Sequence, residues 1–389
     1  MSNHSAVMRT YKYRIYPTPA QEKCLFATLN AARHWYNMCL SERKWAYELE
    51  KHNITKNEQL RQVKHYKRTF APSVHSHVLQ VATAELDKAM QAFFRRVKAG
   101  ENPGYPRFKG RERFSSFGYK ELGNGFKRDG RRLALAGIGR IAVRWHRRIE
   151  GDIKTLRIQH KAGRWYACFA CEVPPLEPLP RIGQSVGIDV GVSALLTTSE
   201  GEKVAHPAFY RQGQAKLRRL QRKLARAKRG SKNRRKVLRA VQRQHEQVAN
   251  QRADLLHKLS RALVEKYDQI ALEALRVPNM VRNKHLSKSI LDSGWSIFGQ
   301  LLTYKAESAG REVVFVDSRN TSKCCSSCGN VFENFDLSTR WIECACGLSL
   351  DRDHNAALNI VRRAGWDAPV SGNVSRWAVR SAEAAPIYR

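Results

Sequence analysis

Nowhere does the chain carry a run of apolar residues approaching the roughly 20 that cross a bilayer. Its first residues, MSNHSAVMRTYKYRIYP, also lack the apolar segment of a secretory leader. No membrane partner is expected, and the expected location is the cytoplasm, in the bacterial cytosol or nucleoid. Acidic residues are scarce as well. Only 34 Asp and Glu stand against 70 Lys and Arg, a formal charge of +36. Such a chain repels itself unless a polyanion neutralises it, so the expected partner is nucleic acid and no small-molecule substrate is expected. Cysteines number nine; in a reducing compartment they read as thiols or metal ligands rather than disulfides. With 389 residues there is room for two or three domains, each with its own core.

Arg9 to Tyr16, RTYKYRIY, alternates basic with apolar or aromatic side chains, the pattern of a half-buried strand whose charged face carries Lys12 and Arg14. Pro17 and Pro19 end it. From Gln21 to about Lys98 apolar residues recur at three and four, predicting a small helical bundle. The run GENPGYPRFKGRERFSSFGYK then interleaves Tyr105, Phe108, Phe114, Phe117 and Tyr119 with basic residues such as Arg107 and Lys109. Such a mixture either stacks bases while contacting phosphates or plugs a neighbouring core. The short alternating segments RRLALAG, GRIAVRW, DIKTLRIQHK and GRWYACFACEV predict a small β-barrel or curled sheet that the first strand could complete. Within the last of them, Cys168 and Cys171 are three apart, and on a strand they would face opposite sides and could not share one ion. PPLEPLP, residues 174–180, reads as a linker.

Beyond it, SVGIDVGV, SALLTTS and KVAHP follow one another at hairpin distance. Arg211 to His245 contains no acidic residue, and its apolar stripes broken at Gly230 and Ser231 predict a basic helical hairpin. A run this one-sided favours phosphate contacts, with Arg218, Arg219, Arg222, Lys223, Arg234 and Arg235 as candidates.

Three acids stand out in this half. Asp189 lies in a predicted strand between Ile188 and Val190, Glu273 follows Ile270, Ala271 and Leu272, and DRDHNAALNI begins a helix with Asp351 and Asp353. Asp353 shares a helical face with Ala356, Ala357 and Ile360, whereas Asp351 suits the cap. Gly187 and Gly191 bracket Asp189 and could admit a phosphate backbone. Strands followed by a helix, a strand and a later helix, with an acid on the first strand, the fourth and the last helix, is the order of a ribonuclease H-like fold. Three carboxylates at one point would hold two Mg²⁺ ions against a phosphodiester. Cys325-x-x-Cys328 and Cys344-x-Cys346, each closed by a glycine, read as the paired knuckles of a zinc ribbon holding one structural Zn²⁺.

IDVGV, RADLLHKLSRALVEKYDQIALEAL, VDSRNTSKCCSSCGN and DRDHNAALNI, together with KYRIYPTPAQ and YPRFK, closely resemble the TnpB family of bacterial insertion sequences, related to the type V CRISPR effectors. The resemblance implies a multidomain α/β protein. A wedge β-barrel split over 8–20 and 100–180 would carry an inserted helical recognition domain over 21–99. A RuvC nuclease domain over 181–320 and 348–365 would hold a zinc ribbon insertion at 321–347, whereas 366–389, outside the resemblance, are expected from their Ala, Ser and Arg content and weak periodicity to form a disordered tail. It implies a guide RNA from the element's own end, recognition of a short target-adjacent motif, and one RuvC site, with Asp189, Glu273 and Asp353, cutting both strands of target double-stranded DNA in turn. One departure is the second knuckle, C-A-C where the family has C-x-x-C, with Cys324 as a spare thiol. The alternatives are a three-acid transposase that joins strands and a guided repressor that binds without cutting.

Overall fold

The computed structural model describes residues 7–175, 177–333 and 339–367, so all but the first two residues of the expected tail lie outside it. The chain divides into two compact units, Met1–Pro175 and Leu176–Arg389, within the proline-rich segment.

The first unit runs β1 (Val7–Tyr16), α1 (Pro19–Glu50), α2 (Lys56–Phe70), α3 (Ser76–Lys98), β2 (Ser116–Tyr119), β3 (Phe126–Asp129), β4 (Arg132–Leu135), β5 (Gly139–Arg144), β6 (Asp152–Lys161) and β7 (Arg164–Val173). β1 buries Tyr11, Tyr13 and Ile15 and turns Lys12 outward, following its alternation. It ends where Thr18 caps α1, its hydroxyl accepting from the Gln21 amide while the Gln21 side chain accepts from the Thr18 amide; Pro19 occupies the first turn, where no donor is lost. The sheet order is β2-β6-β7-β1-β5-β4-β3 with every pair antiparallel, so the first strand is filed between strands made more than a hundred residues later. The two edges meet: Tyr119 of β2 packs on Phe126 of β3 at 6.2 Å between ring centroids, giving a barrel-like curl. Cys171 is buried in the core while Cys168 shares the opposite face of the sheet with Lys12, its register partner. The two cysteines therefore cannot share a ligand.

The second unit runs β8 (Ser185–Asp189), β9 (Ala194–Thr198), β10 (Lys203–Ala205), α4 (Phe209–Arg226), α5 (Lys232–Lys266), β11 (Gln269–Glu273), α6 (Val277–Met280), α7 (Ser287–Ser293), α8 (Trp295–Ala309), β12 (Glu312–Val316), β13 (Trp341–Glu343), β14 (Ser349–Asp351) and α9 (Arg352–Arg363). Its main sheet has the order β10-β9-β8-β11-β12, antiparallel from β10 to β8 and parallel from β8 to β12. Val186, Ile188, Ile270 and Leu272 face α5 and α8 through Leu256, Leu259, Leu263, Phe298 and Leu302. On the other face Ala271 and Val316 meet Ile360 of α9. α4 and α5 form the basic hairpin, pressed together at Gly213, where a Cβ would stand 3.1 Å from the Gln244 amide nitrogen.

The proline-rich stretch is not free along its length, as a plain linker would be. Buried Arg311 donates to the Pro180 carbonyl (2.8 Å) and the Val264 carbonyl (3.2 Å) and pairs with Asp268, whose second oxygen accepts from the amides of Ile182 (2.6 Å) and Gly183 (2.5 Å). Desolvation would raise the Asp268 carboxyl, but the amides of Gly183 and Ile182 and the Arg311 guanidinium hold it below the usual range. Residues leading into β8 are thus strapped to the sheet they enter. Arg311→Ala removes the cation beside this carboxylate and leaves the Pro180 and Val264 carbonyls without their donor, and urea denaturation should show a loss of about 3 kcal/mol, as for other broken, largely buried ion pairs; a loss under about 1 kcal/mol would show that the strap carries little of the fold.

Candidate active site and metal centre

β8 and β11 are parallel, and their register runs to Ile188↔Leu272. The next residues on each strand are Asp189 and Glu273. Neighbouring strands are about 4.8 Å apart and residues in register point to the same face, so the two carboxylates leave the carboxyl end of the sheet together. Because Ile188 and Leu272 face α5 and α8, Asp189 and Glu273 face α9. That helix brings the third acid through a glycine. A Cβ on Gly187 would collide with the Ala357 carbonyl and stand 2.7 Å from the Val361 amide, so α9 lies directly on the β8 backbone. From Gly187 to Asp189 is two strand residues, and from Ala357 back to Asp353 is one helical turn, nearly equal distances. Asp353 therefore lies level with Asp189. Gly187 serves the helix, not a phosphate, which corrects the expectation for that residue; Gly191 meets only the Ala194 carbonyl, 3.1 Å from its would-be Cβ.

Electrostatics agree with this convergence. Burial pushes the Asp189 carboxyl well above the usual range, and the neighbouring Glu273 and Asp353 charges push it further, against the Arg352 guanidinium. Glu273 is also raised, by burial, although the Thr321 hydroxyl donates to it. A buried carboxyl raised further by two neighbouring acids suits a site that a cation would neutralise. Hard carboxylate oxygens are the donor set for a hard divalent ion. Asp351 is the cap: its carboxylate accepts from the Asp353 amide (3.0 Å) and the His354 amide (3.1 Å) and pairs with Lys203 at 2.7 Å.

Three more α9 residues escaped the sequence reading in their actual roles. Arg352 donates to Asp353 through Nε (3.1 Å) and Nη2 (3.0 Å), placing a positive charge among the acids. Asn355 accepts from the Ser326 amide (2.8 Å) and donates to the Cys324 carbonyl (2.8 Å), and Asn359 donates to the carbonyls of Thr321 (2.8 Å) and Cys324 (2.7 Å). They clamp the loop that carries Thr321 and the first cysteine knuckle onto the helix that carries Asp353. His354 packs at Gly201 and contacts the Ser199 carbonyl at 3.1 Å. Their signal was the DRDHNAALNI motif itself, but which asparagine bonds to what is decided by a loop some 30 residues away.

Cys325, Cys328, Cys344 and Cys346 come together with all four sulfurs within 4.8 Å of one another. Cys325 and Cys346 sulfurs are 3.7 Å apart and those of Cys328 and Cys344 3.5 Å, near the roughly 3.8 Å edge of a tetrahedron with 2.3 Å metal–sulfur bonds. Gly329 (φ 79°) and Gly347 (φ 88°) supply the left-handed turns closing each knuckle, so the shortened C-A-C still closes. The Leu348 amide holds the Cys346 thiol down at about 6. Cys324 is not in the cluster; its carbonyl serves the asparagine clamp. The four sulfurs fit one metal ion.

A family model described as "Probable transposase" matches residues 168–284, one described as "Cas12f1-like, TNB domain" matches 295–360, and one described as "Helix-turn-helix domain" matches 5–52. A Streptomyces pristinaespiralis protein, named as a candidate RNA-guided DNA endonuclease, is 34% identical over 376 residues, spanning 94% of this chain and 92% of its own. The chain belongs to the TnpB family. InsQ of Escherichia coli (strain K12), named in the same way, is 29% identical over 374 residues, 91% of this chain and 92% of that one. Among solved structures, a Cas12f1–sgRNA–target DNA complex aligns with a TM-score of 0.62 at 15% identity, over 91% of this chain and 98% of that chain, a likeness of fold. In this TnpB protein the helix-turn-helix label does not describe its segment, which is β1 followed by one unbroken helix of 32 residues.

The basic and aromatic candidates of the TnpB chain separate by burial. Lys12 and Arg14 lie over Tyr166 (4.2 Å) and Tyr16 (4.7 Å) on the outer face of β1. Of the five aromatics between residues 105 and 119, Phe114, Phe117 and Tyr119 plug the core, while Tyr105 and Phe108 are exposed beside exposed Arg107. Lys109 is tied by its backbone to Asn37, which accepts from its amide (2.7 Å) and donates to its carbonyl (3.0 Å). Arg218, Arg219, Arg222, Lys223 and Arg235 are exposed on the hairpin. Arg234 instead turns inward, donating to the Leu224 carbonyl at 2.6 Å and so closing the end of α4.

Asp189→Asn gives a check on the acid cluster that needs no substrate. A carboxyl raised by folding holds extra protons in the folded state between its usual and raised values, so metal-free stability falls as pH climbs through that window. At neutral pH the neutral amide should therefore raise the melting temperature of metal-free protein by a few degrees, with the gain vanishing toward pH 4. Thermal melts that are unchanged or lower at pH 7 would mean that neither burial nor the neighbouring acids raise the Asp189 carboxyl.

Proposed function

We propose that the protein is an RNA-guided DNA endonuclease that cuts both strands of its target at one site formed by Asp189, Glu273 and Asp353. The observation that carries this reading is the convergence of three carboxylates on the carboxyl end of a parallel pair of strands, at the start of a helix, with burial and mutual repulsion raising Asp189. The sheet order, with three antiparallel strands followed by parallel ones and α9 on one face, supports a ribonuclease H-like RuvC assignment for residues 181–320 and 348–365. Residues 8–20 and 100–180 then form the wedge barrel, 21–99 the recognition helices and 321–347 the zinc ribbon.

The chain's own residues do the following. Asp189, Glu273 and Asp353 would serve as oxygen ligands, deprotonated once cations offset the burial and repulsion that raise Asp189, while Thr321 orients the Glu273 carboxylate and Arg352 neutralises part of the cluster. Two Mg²⁺ ions, when bound, supply the Lewis-acid charge that activates water and stabilises the leaving oxygen. The exposed basic residues of α4, α5 and β1 neutralise phosphates without reading bases, as suits a protein whose sequence selection is delegated to pairing with a guide. Guide RNA and target double-stranded DNA are thus the partners, as in the complex named above. The four cysteines hold one structural Zn²⁺, since four thiolates leave no open coordination position. Among the described residues no helix is long and apolar enough to cross a membrane.

Expressed with its native downstream DNA, the protein should co-purify with RNA from that region. Challenged with a plasmid library carrying the matching target beside random flanks, the complex should make Mg²⁺-dependent double-strand cuts next to one flank motif. Asp189→Ala should abolish cutting and leave guided binding intact; wild-type cleavage by that variant would end the site assignment. The "Probable transposase" description favours one rival, strand transfer, which would be recognised by joined rather than free ends. Elemental analysis should find about one zinc per chain, and folded, active protein without zinc would remove the metal from the second site.

A further inference from the structure

Residues 190–193 lead from β8 towards β9, and Val192 and Ser193 form one wall of a cavity of about 420 Å³. This is within the range of sites that enclose a drug-sized molecule, about 300–1,000 Å³, so a phosphate with its sugar fits. The other walls carry Arg211 and Arg218 from α4, and His285 and Lys288 from before and within α7. Arg211 and Arg218 are seven apart, two turns on one helical face, and both are exposed with Lys288 and His285. Donors therefore converge from two elements on a space that opens from the loop following Asp189.

One carboxylate, Asp292, is among the lining residues, and it does not oppose an anion. It is buried, pairs with Arg252 at 2.5 Å and accepts the Tyr210 amide at 2.8 Å, so its charge is spent in fixing the start of α4 against α7. The Ser289 hydroxyl accepts from Arg211 at 3.3 Å. His206 accepts the Ala208 amide on Nδ1 (3.0 Å), so Nε2 carries the proton and donates to Ser293 Oγ (2.9 Å). Burial keeps this ring neutral by lowering its basicity, and His206 belongs to the scaffold. The cavity is thus a cationic site with a braced frame, unlike the freely solvated arginines further along α4.

We propose that this cavity is a second phosphodiester site, holding the sugar–phosphate of the strand being cut a few nucleotides from the scissile bond and setting its register at the acids. The inference rests on the endonuclease reading and adds to it a site that positions the strand. Such contacts fix register without reading sequence, because every phosphate is alike, and a misplaced substrate loses rate steeply.

The test uses the assembled ribonucleoprotein and a synthetic target in which phosphates around the cut are replaced one at a time by neutral methylphosphonate. With wild-type protein, one position a few nucleotides from the scissile bond should slow single-turnover cleavage about tenfold, the scale of one lost charge-assisted contact. Lys288→Ala and Arg211→Gln, both at exposed side chains, should slow the all-phosphate target by a similar factor and abolish the extra effect of that one neutral linkage. Circular dichroism of each variant should match the wild type. Variants that cut at the wild-type rate, or that slow every substrate while the position-specific effect persists, would overturn the proposal. So would inhibition by millimolar inorganic phosphate that is lost in the variants when no single linkage matters, which would mark a free-anion site. Failure of the wild-type protein to cut the all-phosphate target would overturn the endonuclease reading, and this inference with it.

Discussion

The contact between α9 and β8 at Gly187 is what the second unit is arranged around. A strand and a helix ordinarily keep the distance their side chains demand, and here a residue without a side chain lets the helix backbone rest on the strand. That closeness sets the height of Asp353 against Asp189. With the parallel register fixing Glu273 beside Asp189, three acids from positions spread over 165 residues arrive at one end of one sheet. The asparagines of the same helix extend the arrangement, because Asn355 and Asn359 hold the loop that presents Thr321 to Glu273 and begins the cysteine cluster.

This arrangement stores tension. Burial raises the Asp189 carboxyl and the charges of Glu273 and Asp353 raise it further, against the one guanidinium of Arg352, while burial alone raises Glu273. The fold tolerates it because the opposite face of the same strands is packed by α5 and α8 through large aliphatic and aromatic side chains. The acids and the large packing side chains are thereby divided between the two faces of β8 and β11, a division the alternation of a strand provides at no cost in chain length. The strap of Arg311 and Asp268 serves the same end from the other side, holding the entry to β8 in register with β11.

Much of this was legible in the residues. Strands with period two, a helical bundle after the first strand and a basic hairpin broken at Gly230 and Ser231 all stand where their patterns put them. Asp351 as the cap, and Asp353 on the sheet-facing side of its helix, followed from helical spacing. Other assignments could not be made locally. Phe108 and Phe114 have similar neighbours in sequence, yet one is exposed and the other plugs the barrel, because burial depends on where the 105–119 segment meets α1 and the sheet. Arg234 reads like any other arginine of its run, yet it closes the end of α4.

By itself the sequence determined the charge, hence the kind of partner, and the elements with their caps, hence the acids and thiols available for chemistry. These depend on composition and on neighbours within about a turn, where spacing alone dictates which side chains share a face. Only the tertiary structure decided which glycine serves a helix instead of a ligand, that Cys324 stays out of the cluster of four, and that Arg311 straps the proline-rich segment. Each of those outcomes turns on a carbonyl, amide or carboxylate from a distant part of the chain, and burial makes such polar partners obligatory without marking them in the local pattern.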